Sequence, residues 1–171
     1  MPRLFALDQN FPQPIVALLA EYLTEEAELV PLGDIDRRLP DMENDWELLL
    51  SLHHDGRPWD GLITTDTSML SLERELAVLM QTRLTLVAAE EAGHDPLRAT
   101  GLLLLHLPGI CKATTPARAQ IWHLRAPGRL PHLDPWDQLG RVARHRSTSA
   151  RRLYRNAQLS ASELARDPLA K

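Results

Sequence analysis

Short apolar segments alternate with amphipathic ones along the first two thirds of the chain. An apolar run at residues 4–7 ends at Asp8 and predicts a buried strand. A second, weaker strand is predicted at 28–32, a third at 61–65 and a fourth at 84–88. The longest apolar run, at 102–107, predicts a fifth strand that follows a loop at 93–101.

Helical patterns separate these predicted strands. In the first predicted helix, apolar side chains recur at the spacing of one helical face: Ile15, Leu18, Leu19, Tyr22 and Leu23. Asn44 and Glu47 resemble a capping pair for a second helix, which continues through the leucine-rich run at 48–52. A third helix is predicted at 69–80. Strands that alternate with helices at short connections indicate βαβ units.

We therefore predict an α/β fold, a doubly wound sheet of mainly parallel strands flanked by helices, for residues 1–111. The pattern changes after Cys111: a helix is predicted at 116–124, a proline-rich loop at 127–135 and a basic helix at 135–156. We expect residues 112–171 to form a basic, helical C-terminal extension packed on this core.

Composition narrows the class of protein. With 44% hydrophobic and 25% charged residues over 171 positions, the chain has the balance of one globular domain. No apolar run approaches the ~20 residues that a membrane span needs. The single cysteine cannot form an internal disulfide, and the amino terminus has no signal-peptide pattern. We therefore expect a cytoplasmic protein with no membrane partner.

Charge is segregated along the chain. Residues 1–111 contain seven Lys and Arg against 19 Asp and Glu, whereas residues 112–171 contain twelve against four. The predicted basic helix carries Tyr154 and a set of arginines that suit a phosphate backbone: Arg141, Arg144, Arg146, Arg151, Arg152 and Arg155. A solvated helical face, or a clamp on the acidic part of the same chain, is the alternative.

Three separate segments bring polar side chains to the carboxyl edge of the predicted sheet, where open parallel sheets bind ligands. These are Asp8 with Asn10, Asp45 with Glu47, and Asp66 with Thr65 and Thr67. Clustered carboxylates repel one another unless a cation lies between them, and carboxylates without His or Cys favour Mg²⁺ or Mn²⁺. Taken singly, each residue also suits a turn or a helix cap.

Such a site suits phosphodiester hydrolysis, in which one metal ion lowers the pKa of an attacking water and a second stabilises the leaving oxygen. Three segments then resemble the PIN-like domains, specifically the toxin-like branch related to the VapC ribonucleases. Residues 7–12, LDQNFP, resemble the family pattern L-D-E-N-L-P. Residues 45–49, DWELL, resemble D-E-E-I-L, and residues 62–66, LITTD, resemble L-V-T-x-D.

The resemblance covers residues 3–108 and implies a metal-dependent endoribonuclease that leaves 5′-phosphate and 3′-hydroxyl ends. It implies that the metal ligands are Asp8, Asp45 and Asp66, with Glu47 as a further catalytic candidate that positions water. Substrate contacts are expected from Asn10, Thr65, Thr67, Arg144, Arg151 and Arg152. The expected partners are an RNA substrate, with a protein antitoxin and a second copy of the chain as further candidates.

The chain departs from the family pattern just after the third aspartate, and the basic extension from Lys112 onward lies outside what the resemblance explains. Thr67 and Ser68 stand where the family often has another acid, so the number of metal ions, one or two, stays open. A catalytically degenerate module that binds RNA or a protein is the alternative function. A HAD-like phosphatase fits less well, because that chemistry has a second Asp where this chain has Asn10.

Overall fold

The computed structural model describes residues 2–9, 11, 13–89, 95–125 and 132–170. Its strands are β1 (Arg3–Leu7), β2 (Ala27–Pro31), β3 (Gly61–Thr64), β4 (Thr85–Ala89), β5 (Gln120–Leu124) and β6 (His132–Leu133). The longer helices are α1 (Gln13–Tyr22), α3 (Asp45–His54), α4 (Glu73–Thr82), α5 (Pro96–Ala113), α6 (Pro135–His145) and α7 (Ala150–Ala157). Two single-turn helices, α2 (Leu32–Ile35) and α8 (Ala161–Leu164), and two 3₁₀ helices (Leu39–Asp41 and Ser68–Ser71) complete the described elements.

The six strands form one sheet in the order β2-β1-β3-β4-β5-β6. The first five run parallel, and β6 pairs antiparallel with β5. Helices cover both faces, which confirms the predicted α/β, doubly wound class. Within the described ranges, no helix is both long enough and apolar enough to cross a membrane.

Alternate residues of the strands supply two separate cores. On one face, Phe5 and Leu7 of β1 pack with α1 and α5. On the other face, Ala6 of β1 and Leu62 of β3 pack with α3, α4, α6 and α7. The period of two along each strand therefore places α6 and α7, from the basic part of the chain, in the same layer as α3 and α4.

Most predicted elements are confirmed within one or two residues. β1, β2, β3 and β4 match the four predicted strands, and α1 and α3 match the first two helices. The third predicted helix is divided into the 3₁₀ helix Ser68–Ser71 and α4. The basic helix predicted at 135–156 is interrupted near Ser147, which has a positive φ of 52°, so it forms α6 and α7.

The predicted fifth strand at 102–107 is wrong, because these residues lie inside α5. The loop predicted at 93–101 is also wrong from Pro96 onward. The Asp95 side chain caps this helix by accepting a hydrogen bond from the Arg98 backbone N–H at 3.1 Å. Leucine, which dominates the run, is a strong helix former and is not β-branched. Within this helix Leu102, Leu103 and Leu107 are buried, whereas Leu105 is exposed.

The helix predicted at 116–124 is wrong as well. Residues 120–124 form β5, and all five are buried between β4 and β6. The expected division after residue 111 falls within α5, so residues beyond it supply the last two strands of the same sheet. In α1 the buried face consists of Val16 and Leu19, followed by Leu23, whereas the Leu18 and Tyr22 side chains are exposed.

Candidate functional site at the carboxyl edge of the sheet

The topology of the sheet reverses at β1, because β2 and β3 pair with opposite sides of it. In this strand order the carboxyl ends of β1 and β3 border the crevice where ligands bind. Asp8 follows β1, and its backbone N–H donates to the Ile63 carbonyl of β3 at 2.9 Å. Asp66 comes two residues after the end of β3. The paired strands thus bring Asp8 and Asp66 to the same edge of the sheet.

The Thr64 hydroxyl connects these two aspartates. It donates to Oδ2 of Asp8 at 2.7 Å and accepts a hydrogen bond from the Asp66 backbone N–H at 2.9 Å. Thr64 is only 2% exposed, so its χ1 is held by packing as well as by these bonds. One buried hydroxyl therefore sets the position of Asp8 relative to the backbone of Asp66. Thr64 is not among the residues predicted from the sequence.

The Asp66 side chain also has a local structural role. Its Oδ1 accepts from the Ser68 backbone N–H at 2.7 Å, and its Oδ2 accepts from the Ser68 hydroxyl at 2.9 Å. This is an Asx turn that leads into the 3₁₀ helix Ser68–Ser71. Asp66 is exposed, so solvent or a ligand can still reach its carboxylate.

Asp45 lies at the first position of α3 and is half-buried. Burial raises the pKa of its carboxyl, and the negative charges of Asp66 and Asp8 raise it further. The Asp45 carboxyl therefore lies within electrostatic range of both Asp66 and Asp8. The sequence predicted that these three segments meet, and in the structure the charges of Asp66 and Asp8 act on Asp45.

Glu75, in the first turn of α4, is a fourth acid that the sequence analysis missed. It is only 8% exposed. Burial raises its pKa most, a hydrogen bond from its own backbone N–H lowers it, and the carboxylates of Asp45 and Glu73 raise it. Helical spacing was the signal that could have found it, because Val78, Leu79 and Thr82 are buried on the same side of α4. We call Asp8, Asp45, Asp66 and Glu75 the acidic edge.

The chemistry of the acidic edge fits a hard divalent cation, because its members are carboxylates and the burial of two of them disfavours the charged forms. The side chains of the acidic edge are not arranged as a complete metal site. Among the residues that the structure describes, no group of three or more His, Cys, Asp or Glu side chains is placed to hold a metal ion. A Mg²⁺ or Mn²⁺ site here therefore remains a proposal.

Glu47 faces a different part of the molecule. Its Oε2 accepts from the Asn44 amide at 3.1 Å, and Asn44, although at the N-cap position of α3, makes no side-chain capping bond. Glu47 lines a cavity of about 130 Å³ with Trp46, Leu50 and the C-terminal residues Glu163, Arg166 and Pro168. Because residues two apart on a helix point in nearly opposite directions, Glu47 is turned away from the side of α3 that carries Asp45.

The predicted substrate contacts fall into three groups. Thr65 and Thr67 are half-buried and flank Asp66 at the acidic edge. Asn10 lies outside the described residues. The predicted arginines are exposed on α6 and α7: Arg144, Arg151 and Arg152. The arginine that pairs with an acid near the acidic edge is instead Arg146, whose Nη1 forms an ion pair with Glu73 at the start of α4.

Comparisons of this chain with protein-family models, with curated proteins and with solved structures find no match. The similarity to PIN-like domains thus depends on the three short segments quoted above. The fold class and the position of the acidic edge come from the structure independently of that similarity.

Proposed function

We propose that this protein is a Mg²⁺- or Mn²⁺-dependent endoribonuclease on a PIN-like fold. The observation that supports it best is that Asp8 and Asp66 follow paired parallel strands where the topology of the sheet reverses, with Asp45 within electrostatic range of both. Three acids from separate segments, one of them with a pKa raised by burial and further by the other two, are costly to the fold without a cation. A function that uses a divalent cation explains why they are there.

In this proposal the carboxylates of Asp8, Asp45 and Asp66 hold the cation, and Thr64 keeps Asp8 oriented through its 2.7 Å hydrogen bond. The cation, when bound, supplies a water of lowered pKa and stabilises charge on the phosphate oxygens. The Thr65 and Thr67 hydroxyls flank Asp66, where each can donate to a non-bridging phosphate oxygen. Glu47 has no role in this arrangement, because it lines the cavity beside Glu163.

The biological setting belongs to the same proposal. A cytoplasmic toxin-like ribonuclease has RNA as its substrate, and a protein antitoxin or a second copy of the chain as further partners. A second candidate function is a module that binds RNA or a protein without cleaving. The exposed arginines of α6 and α7 favour it, because they supply positive charge for binding whether or not the acidic edge is active.

Cleavage of a mixed RNA pool tests the proposal. We expect purified wild-type protein to cut RNA with Mg²⁺ or Mn²⁺ and to stop when EDTA is added. Asp66→Asn should abolish cutting but fold normally, because Asn also forms the turn with Ser68. Asp41→Asn is the matched control, since Asp41 is exposed and lies in the 3₁₀ helix before α3.

Two results would contradict parts of the proposal. If Asp66→Asn cuts RNA as fast as the Asp41→Asn control, Asp66 has no part in the reaction. If the wild-type protein binds RNA but does not cut it with either metal, the ribonuclease proposal fails and the binding module replaces it.

A further inference from the structure

A positively charged groove lies between α6 and the 3₁₀ helix Ser68–Ser71. Its volume is about 370 Å³, and its lining residues are Ser71, Gln138, Arg141, Val142, His145 and Arg146. We call it the α6 groove. We propose that the α6 groove holds the phosphodiester backbone of the RNA substrate to one side of the bond that is cut. This inference rests on the proposed ribonuclease function, but it concerns residues that the similarity to PIN-like domains does not cover.

The charge of the α6 groove suits a phosphate chain. Two arginines line it and none of its lining residues is acidic. The charge of Arg146 is partly balanced by its ion pair with Glu73. In contrast, no hydrogen bond or ion pair engages the Arg141 guanidinium anywhere in the described part of the chain, so its donors are available to a ligand. A guanidinium can bind a phosphate group through two parallel hydrogen bonds.

The walls of the α6 groove are held together by packing and by one specific bond. The Gln138 amide on α6 donates to the Leu70 carbonyl of the 3₁₀ helix at 2.8 Å. Arg141 follows Gln138 by three residues and His145 follows it by seven, so the three side chains share one side of α6. Val142 and Leu139, on the adjoining side, are buried against the core. The groove is thus formed by fixed elements and not by a loop.

Two observations place the α6 groove beside the acidic edge. Ser71 ends the 3₁₀ helix that follows Asp66, and five residues of chain span at most about 18 Å even when extended. The second link runs through α4: Glu73 pairs with Arg146 of the groove, and both Glu73 and Asp45 raise the pKa of Glu75. The groove and the acidic edge therefore adjoin the same first turn of α4.

This arrangement addresses a physical problem of the proposed function. An edge with four carboxylates repels a polyanion as a whole, although its cation attracts one phosphate. A neighbouring cationic groove supplies the sequence-independent part of the affinity by neutralising further phosphates of the same strand. The acidic and basic parts of the chain then have separate tasks, with the cation at one and the RNA backbone at the other.

Binding of a fluorescently labelled RNA oligonucleotide in EDTA, followed by anisotropy over a range of salt concentrations, tests the inference without any cleavage. We expect Arg141→Ala to weaken binding about three- to tenfold. It should also reduce the slope of log affinity against log salt by about 0.7, the value for one phosphate contact on a single strand. Arg141→Lys should restore most of the slope because it keeps the charge. Arg118→Ala is the matched control, since Arg118 is exposed just before β5, at the edge of the sheet opposite the acidic edge, and does not line the groove.

The outcomes separate this inference from the proposed function. If Arg141→Ala and Arg118→Ala have equal affinities and slopes, or if the wild-type protein does not bind RNA in EDTA, the groove inference is overturned. Metal-dependent cleavage by the same preparation would then leave the ribonuclease proposal in place. If binding depends on Arg141 but no metal supports cleavage, the ribonuclease proposal fails and the α6 groove stands as an RNA-binding site.

Discussion

Replacing Thr64 by Val tests whether one hydroxyl organises the acidic edge. Val has nearly the same shape as Thr and is at least as favourable in a strand, so the substitution removes the hydroxyl and little else. Two hydrogen bonds disappear, the 2.7 Å bond to Oδ2 of Asp8 and the 2.9 Å bond from the Asp66 backbone N–H. Thr64 is 2% exposed, so water cannot easily take the place of the hydroxyl.

The expected loss can be estimated from these two bonds. A hydrogen bond to a charged group contributes about 1.5–3 kcal/mol and a neutral one about 1 kcal/mol. The methyl group that replaces the hydroxyl recovers about 0.8 kcal/mol through burial. We therefore expect Thr64→Val to lower the free energy of unfolding by about 2 kcal/mol. For a protein of this length, that lowers the Tm by about 4–8 °C.

Thr82→Val is the matched control for this measurement. Thr82 is also buried, but its hydroxyl donates to the Val78 and Leu79 carbonyls of its own helix, at 2.9 and 3.3 Å. Its removal leaves no backbone donor unpaired, so we expect a change within about 0.5 kcal/mol. Urea and thermal unfolding of both variants, followed by circular dichroism, give the comparison. Equal stabilities of the two variants would refute the role assigned to Thr64.

The remaining predictions concern the sheet, the acidic edge and the cation. Gly61→Ala should cost about 3 kcal/mol or more in urea unfolding, because its Cβ would lie 1.9 Å from the Thr85 carbonyl oxygen of the neighbouring strand. A Cβ at Gly101 would meet nothing within 4 Å, so Gly101→Ala should raise the free energy of unfolding by about 0.5–1 kcal/mol. A change of the free energy of unfolding in the same direction for both substitutions would contradict the β3–β4 register. Burial raises the pKa of Asp45, and the charges of Asp66 and Asp8 raise it further. The charged form of Asp45 therefore lowers the stability of the fold above that pKa, and this loss of stability disappears as the pH falls through it. Asp45→Asn should therefore be more stable than wild type at about pH 7 and lose that advantage at about pH 3, whereas a larger advantage in acid would count against the effect. Mn²⁺ at about 100 times its Kd should raise the stability of the wild-type protein by about 2.7 kcal/mol until EDTA is added, and an equal shift in Asp66→Asn would argue against a site at the acidic edge.

The errors in the sequence analysis have a common cause. The run at 102–107 suits a buried strand as well as a leucine-rich helix, and the sequence of a short apolar run does not distinguish them. The segment at 120–124 contains Gln120 and His123, which do not resemble a core strand, yet both are buried in β5. Their burial depends on β4 and β6 on either side, and these contacts are distant in the chain.

The candidate site could also be predicted only in part from the sequence. Asp8 and Asp66 could be predicted because each follows a strand, and parallel strands end at the same edge. Glu47 does not accompany Asp45 at the site, because the two residues are two positions apart on α3 and point to nearly opposite sides of it. Glu75 and Thr64 were missed because their importance comes from burial beside residues on other elements.

By itself the sequence determined the alternation of strands and helices, hence the α/β class, and the strand ends at which Asp8 and Asp66 stand. These follow from local periodicity, which depends only on neighbouring side chains. The tertiary structure alone decided that the sheet takes its fifth strand from residues 120–124, that Thr64 joins two aspartates, and that α6 lies against the 3₁₀ helix to form a basic groove. Each of these depends on contacts between distant segments, and such contacts form only when burial of the whole chain compensates the entropy of ordering it.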